Sequence, residues 1–324
     1  MLLGFDIGGT KCAVIIGKKK STEEIEIIDK VMVPTKSPAS EMLELLFNTA
    51  EEILKKNTIP IDQLRGIGIN CGGPLNSKAG VILSPPNLPG WDNIPIVKMM
   101  ESRFGVNAFL QNDANAGAVA ELKYGAGKGY NNLIFLTFGT GMGAGLILNG
   151  QLYSGTNDLA GEVGHLRLNN FGPVGFGKSG SFEGFCSGGG IAQLAQMKVR
   201  EKLQMGLEVP YCPGLGDLEK LTAKTVAEQA RLGDPVAIDV YETCGYYLGK
   251  GLALLIDILN PELIILGSMY ARTKDLLDSA MWRAIEEEAI VTSKNSCKIV
   301  PAGLGEQIGD LSALSLAEQI AAKS

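Results

Sequence analysis

The chain has 324 residues, 45% hydrophobic and 20% charged, which fits a globular protein of two ordinary domains and excludes a disordered one. A net charge of -6 leaves no basic footprint for nucleic acid, although backbone amides can still bind an anion locally. The six cysteines (Cys12, Cys71, Cys186, Cys212, Cys244, Cys297) form no CxxC pair, so they signal free thiols in a reducing compartment, not a disulfide framework or a cysteine metal site.

Leu2 to Ile7 reads as a buried strand that begins without a secretory leader. Cys12 to Gly17 and Ile25 to Val33 complete a meander. Ser40 to Lys56 has Leu43, Leu46, Phe47, Ala50, Ile53 and Leu54 at helical spacing. Gly66 to Cys71 is a strand closed by the turn residues Gly72, Gly73 and Pro74. A helix over Ile94 to Phe104, a short strand over Ala108 to Gln111 and a helix over Asp113 to Lys123 follow. The pattern then restarts as a strand (Asn132 to Phe138), a glycine loop (Gly139 to Gly143) and a strand (Ala144 to Leu148). This echoes Phe5 to Ile16, and two similar halves facing each other would bring both glycine loops to one cleft. Gly189 to Glu288 reads as mostly helical, broken by a loop near Pro210 to Gly216 and a strand at Leu263 to Leu266; Gln307 to Ala322 is a last helix. The longest apolar run, Cys244 to Leu259, is broken by Lys250 and Asp257. No membrane span is expected, and the protein is read as soluble and cytoplasmic.

Glycine lets backbone approach phosphate oxygens closely. In the first loop Gly8 and Gly9 do so, Thr10 and Lys11 add a hydroxyl and a charge, and Asp6 could hold magnesium through water. The same residues read equally as an ordinary hairpin turn. A dinucleotide fold competes, but it needs its glycines to open a helix, and here a strand follows each loop. Asn112 and Asp113 stand at a strand-to-helix junction, as ligand-facing groups or as a helix cap. Glu162, Glu183 and His165, the only histidine, could pair with sugar hydroxyls; a lone histidine is more often structural than catalytic.

Together, Phe5 to Lys11, Asn87-Leu88-Pro89-Gly90-Trp91, Gln111 to Ala116, Thr137 to Gly150, Gly161 to His165, Ser187-Gly188 and Asn260-Pro261-Glu262 resemble the ROK family (repressors, open reading frames and kinases) over nearly the whole chain. The resemblance implies the actin-like, hexokinase-like (ribonuclease H-like) α/β fold, two α/β domains around a central cleft. The domains are expected over 1-118 plus 306-324 and over 119-305. It implies a kinase using ATP and magnesium on a hexose, glucose by default and at the 6-hydroxyl. N-acetylhexosamine or fructose kinases and a non-catalytic sugar sensor are the alternatives. Carried over, Asp113 is the general base, and Asn112, Glu162, His165 and Glu183 bind sugar, with Asn87 and Gly72 on sugar-side loops. Asp6, Gly8, Gly9, Thr10, Lys11, Gly139, Thr140 and Gly141 face the ATP phosphates and their magnesium, and Gly267 lies near the adenosine.

The chain departs from the family at its zinc module, C-x-C-G-x-x-G-C-x-E. Val174, Phe176 and Ser181 stand where the three cysteines would be. A structural zinc site takes four ligands and only His165 remains, so no zinc is expected. The loop is expected to be held by packing around Phe176 and Phe182 instead. Family repressors carry an N-terminal helix-turn-helix for which this chain has no room, so the expected partner is a small sugar, with no nucleic acid and no membrane. A homo-oligomer, dimer or tetramer, is implied.

Overall fold

The computed structural model describes residues 1–36 and 38–322. Lys323 and Ser324, at the end of the expected first domain, lie outside the described residues. The strands in chain order are β1 (Leu2–Ile7), β2 (Lys11–Ser21), β3 (Glu24–Pro34), β4 (Gly66–Cys71), β5 (Leu75–Asn76), β6 (Val81–Ile82), β7 (Ala108–Asn112), β8 (Leu133–Phe138), β9 (Met142–Leu148), β10 (Gln151–Leu152), β11 (Val174–Gly175), β12 (Lys178–Ser179), β13 (Leu263–Leu266) and β14 (Lys298–Pro301). The α-helices are α1 (Ala39–Lys56), α2 (Ile96–Phe104), α3 (Asp113–Tyr124), α4 (Phe182–Cys186), α5 (Gly188–Gln204), α6 (Ala223–Arg231), α7 (Pro235–Leu259), α8 (Ser268–Glu288), α9 (Val291–Ser296) and α10 (Ile308–Ala321).

Two compact units form. The first contains Met1–Tyr130, Gly145–Ala160 and the described part of Gly303–Ser324; the second contains Asn131–Ala144 and Gly161–Ala302. The expected boundary after residue 118 falls inside α3, which runs unbroken to Tyr124 and carries the first unit on to Tyr130. The segment Gly145–Ala160 also joins the first unit, because Gly145 packs on α3 so closely that a Cβ there would lie 2.2 Å from the Ala114 carbonyl oxygen.

The first unit is built on a five-stranded sheet of order β3-β2-β1-β4-β7. β1 pairs antiparallel with β2 and parallel with β4, as strands buried on both faces allow. α1 covers one face with Met42, Leu43, Leu46, Phe47, Ala50, Ile53 and Leu54, and Lys55 and Lys56 complement its C-terminal dipole. α10 covers the other face on a bed of glycines. A Cβ on Gly68 would lie 1.9 Å from the Ala313 carbonyl oxygen, and one on Gly66 2.2 Å from that of Ala317. The small residues therefore set how close α10 comes to β4.

In the second unit β8, β13 and β14 run parallel, with β13 between the others. α7 starts at Pro235 under the Asp234 side-chain cap and stops where Asn260 turns left-handed at φ 44°. It lies against α8 through Gly245 and Gly249, where a Cβ on Gly249 would meet the Met281 carbonyl oxygen at 2.2 Å. β9 begins at Met142, so the second glycine loop is shorter than Gly139 to Gly143. No helix of the described residues is long and apolar enough to cross a membrane.

Candidate active site

The first unit holds the first glycine loop between β1 and β2. Gly8 N–H donates to the Lys11 carbonyl at 3.2 Å, and the Thr35 hydroxyl donates to the Gly8 carbonyl at 2.6 Å. Gly9 packs directly on Asn87: a Cβ would lie 2.4 Å from the Asn87 carbonyl oxygen. The expected sugar-side residue Asn87 thus touches the first glycine loop. Thr10 and Lys11 are exposed, and Gly72 has open space where a side chain would stand.

Asp6 is the next-to-last residue of β1 and lies beneath the start of α10. Its Oδ1 accepts from Asn70 Nδ2 at 3.0 Å, and a Cβ on Gly309 would lie 2.4 Å from its Oδ2. Burial pushes its carboxyl up to about 6; the charges of Asp113 and Asp310 push the same way, and Lys30 and Lys11 pull it back. Asn70 is a contact that the sequence reading missed. Its signal was a lone polar residue in the buried strand Gly66–Cys71.

At the β7–α3 junction the cap falls to Asn112. Its Oδ1 accepts from Ala114 N–H at 2.9 Å and Asn115 N–H at 3.4 Å. Asp113 is the first residue of α3; it is exposed, and its Oδ1 accepts from Ala114 N–H at 2.8 Å. Gln111 braces the turn by accepting from Asn112 N–H at 2.7 Å and Asn115 Nδ2 at 3.2 Å.

The second unit holds the other glycine loop. Gly139 N–H donates to the Gly141 carbonyl at 3.2 Å, and the Gly139 carbonyl accepts from Gly188 N–H, at the start of α5, at 2.8 Å. Gly267 precedes α8 and ties it to β8 through its N–H on the Leu136 carbonyl at 2.9 Å. Next along α8, the Met269 methyl lies so near Gly188 that a Cβ there would come within 3.1 Å. The N-termini of two long helices thus stand by this loop, an arrangement that favours an anion. Ser187 caps α5 by accepting from Gly190 N–H at 3.0 Å.

Glu162 is exposed and precedes a short 3-10 helix, Val163–His165. His165 is half-buried, and its ring meets Phe176 edge-on with centroids 5.0 Å apart. Glu183 lies in α4, and one carboxylate oxygen accepts from Met142 N–H at 3.0 Å. The expectation for the segment between them needs correction. Phe182 is fully buried, but Phe176 is 63% exposed at φ 43° and is no packing core. Hydrogen bonds hold this segment. Val174 stands in the β11–β12 hairpin, and buried Ser181 caps α4 by accepting from Gly184 N–H at 3.1 Å. Cavities of about 330 and 320 Å³ elsewhere in the second unit contain none of the expected site residues.

These two groups of residues, one on each unit, can be set beside known proteins. A glucokinase of Halalkalibacterium halodurans is 31% identical over 312 residues, 95% of this chain and 92% of that protein. A putative xylose repressor of Caldicellulosiruptor is 29% identical over 80% of this chain and 64% of its own length. The crystal structure of a ROK family glucokinase from Streptomyces griseus, in complex with glucose and AMPPNP, matches with a TM-score of 0.78 and 28% identity over 98% of this chain and 99% of that one. The fold is that of the ROK sugar kinases, the actin-like α/β fold. With the ROK family model matching residues 2–320, the chain belongs to the ROK family.

Proposed function

We propose that the chain is an ATP-dependent hexose kinase, acting on a glucose-like sugar at the 6-hydroxyl with Asp113 as general base. The observation that carries this is the division of labour at the start of α3. Asn112 accepts from both Ala114 and Asn115 N–H, and the exposed Asp113 carboxylate shares the first of these donors, so the helix start does not rest on Asp113 alone. Asp113 accepts the hydroxyl proton, the hydroxyl oxygen attacks the terminal phosphorus, and the bond to the departing ADP breaks. Such transfer asks a protein chiefly to position groups and neutralise charge.

The two glycine loops, with Thr10, Lys11, Thr140 and the start of α5, are assigned to the phosphates, and Gly267 to the adenosine side. Asn112, Glu162, His165 and Glu183 are assigned to the sugar, with Asn87 and Gly72 on its border. Magnesium, when bound, would neutralise phosphate charge. Magnesium sites commonly use one or two carboxylates with waters and phosphates. Asp6 fits that role, since a cation would offset the cost of its buried charge among Asp113 and Asp310. The assembly is proposed to be a cytoplasmic homo-oligomer, a dimer or tetramer.

A second reading is a sugar sensor without turnover. The similarity to a xylose repressor and the missing zinc thiolates favour it. Fold alone does not decide between the two. The test is ADP release with magnesium-ATP over a panel of hexoses and N-acetylhexosamines, with Asp113→Asn as control. One sugar should give turnover that the variant loses by about 100-fold or more. Sugar binding without turnover on any sugar would favour the sensor, and near-native turnover in Asp113→Asn would remove the base assignment.

A further inference from the structure

The segment from His165 to Glu183 carries two of the residues assigned to sugar. The zinc that braces it in the related module does not fit here. A structural zinc site takes four nitrogen or sulfur ligands. Val174, Phe176 and Ser181 supply none, and among the described residues no group of three His, Cys, Asp or Glu side chains could hold a metal ion.

Backbone-directed side chains hold the segment instead. The half-buried Lys178 ammonium donates to the His165 carbonyl at 2.7 Å. The Gln193 side-chain amide, on α5, makes a two-bond pair with Val174: it accepts from the N–H at 3.0 Å and donates to the carbonyl at 2.9 Å. The Arg167 guanidinium donates to the Ser179 carbonyl at 2.8 Å. Leu168 N–H donates to the Gly180 carbonyl at 2.9 Å, and Phe182 N–H to the Leu166 carbonyl at 2.7 Å, closing the two ends of the segment on each other. A charged donor on a carbonyl is stronger than a neutral pair. Lys178 is therefore the bond in this set that acts on His165 itself. Gln193 fixes the hairpin that presents Lys178, since Val174 pairs across it with Ser179 and Gly175 with Lys178.

We propose that Lys178 and Gln193 are positioning residues that hold His165 for the sugar without metal. The kinetic side of this proposal rests on the hexose kinase reading; the structural side does not.

The experiment is deuterium exchange on the full-length wild type before and after EDTA, and on Lys178→Met, Lys178→Arg and Gln193→Leu, with steady-state kinetics on the same samples. In the wild type, protection over 165–183 should be unchanged by EDTA. In Lys178→Met, exchange there should rise about tenfold while α7 keeps its protection. Sugar KM should rise about tenfold with nucleotide KM within twofold, and Lys178→Arg should recover most of both. Gln193→Leu should loosen 174–179 first. Protection lost on chelation, or unchanged in Lys178→Met, would overturn the proposal. Looser exchange with an unmoved sugar KM would make Lys178 structural only and overturn its positioning role. A wild type that turns over no sugar would remove the kinase reading alone, and the exchange data would still decide how the segment is held.

Discussion

Glu183 accepts a hydrogen bond from Met142 N–H at 3.0 Å, and a Cβ on the neighbouring Gly141 would come within 2.9 Å of the same carboxylate oxygen. The carboxylate assigned to a sugar is thus bound to the glycine loop assigned to phosphates. One side chain can therefore influence both ligands.

Glu183→Ala removes the acceptor from Met142 N–H. Hydrogen bonds to charged groups contribute about 1.5–3 kcal/mol. The nucleotide KM should therefore rise about 10-fold or more alongside the sugar KM. Glu183→Gln keeps an acceptor oxygen and should hold the nucleotide better than alanine does. Steady-state kinetics with each substrate varied in turn checks this; a sugar KM that moves alone would show that the loop does not need Glu183.

Asp6 carries a pH prediction. Its carboxyl stands at about 6 in the fold against an ordinary 3.8, so the folded state holds its proton more tightly than the unfolded chain. Below about 3.8 both states are protonated and the fold bears no cost. The cost grows as pH rises between the two values and is complete above about 6. Asp6→Asn should raise stability at pH 8 by about 1–3 kcal/mol and change little at pH 4. It should also impair turnover, trading activity for stability as active-site substitutions often do. Thermal unfolding at the two pH values decides; an equal gain at both would show that the carboxylate charge is not the cause.

The same residue shows what could be read from the sequence. The apolar runs of β1 and β4, the period of α1 and the glycines at Gly8 and Gly9 are local signals, and they place Asp6 at a strand end beside a turn. Its burial depends on Gly309, which only the packing of α10 brings to it. Glu183 and Met142 are 41 residues apart and meet through the fold of α4, so no local pattern announces their bond. Phe176 misled because an aromatic beside glycines reads as packing, whereas its left-handed backbone leaves the ring exposed. β14 is four residues long and only partly buried, too short to show a period.

Glu121 is fully buried in α3. Its carboxylate accepts from the N–H groups of Ala126 at 2.8 Å, Gly303 at 3.1 Å and Leu304 at 3.0 Å. The chain first leaves the first unit after Tyr130 and returns to it for the last time at Gly303, so one carboxylate holds that first exit and that last return. Glu121→Gln keeps one acceptor oxygen and turns an amide NH2 toward a donor, at a cost of about 1–3 kcal/mol. Glu121→Ala leaves all three donors unpaired and should cost more. Urea unfolding measures the loss, and amide exchange should accelerate at Ala126, Gly303 and Leu304 before the core of β1 and β4 responds. Unchanged exchange at those amides would mean that other groups hold the two passages.

Glu318 holds α10 from the opposite end. Burial alone would push its carboxyl up, but hydrogen bonds from Lys123, Lys19 and the Tyr124 hydroxyl outweigh it and bring the group to about 2. Lys123 lies at 2.8 Å and the Tyr124 oxygen at 2.5 Å, both on α3, while Lys19 reaches in from β2. A folded value below the ordinary 4.5 gives stability that is complete above about 4.5 and is lost as pH falls toward 2. Glu318→Gln should therefore cost about 1–3 kcal/mol at pH 7 and progressively less below pH 4. Urea unfolding of both proteins at pH 7, 4 and 3 tests this. A loss that stays constant across that range would place the contribution of Glu318 in its packing against α3, not in its charge.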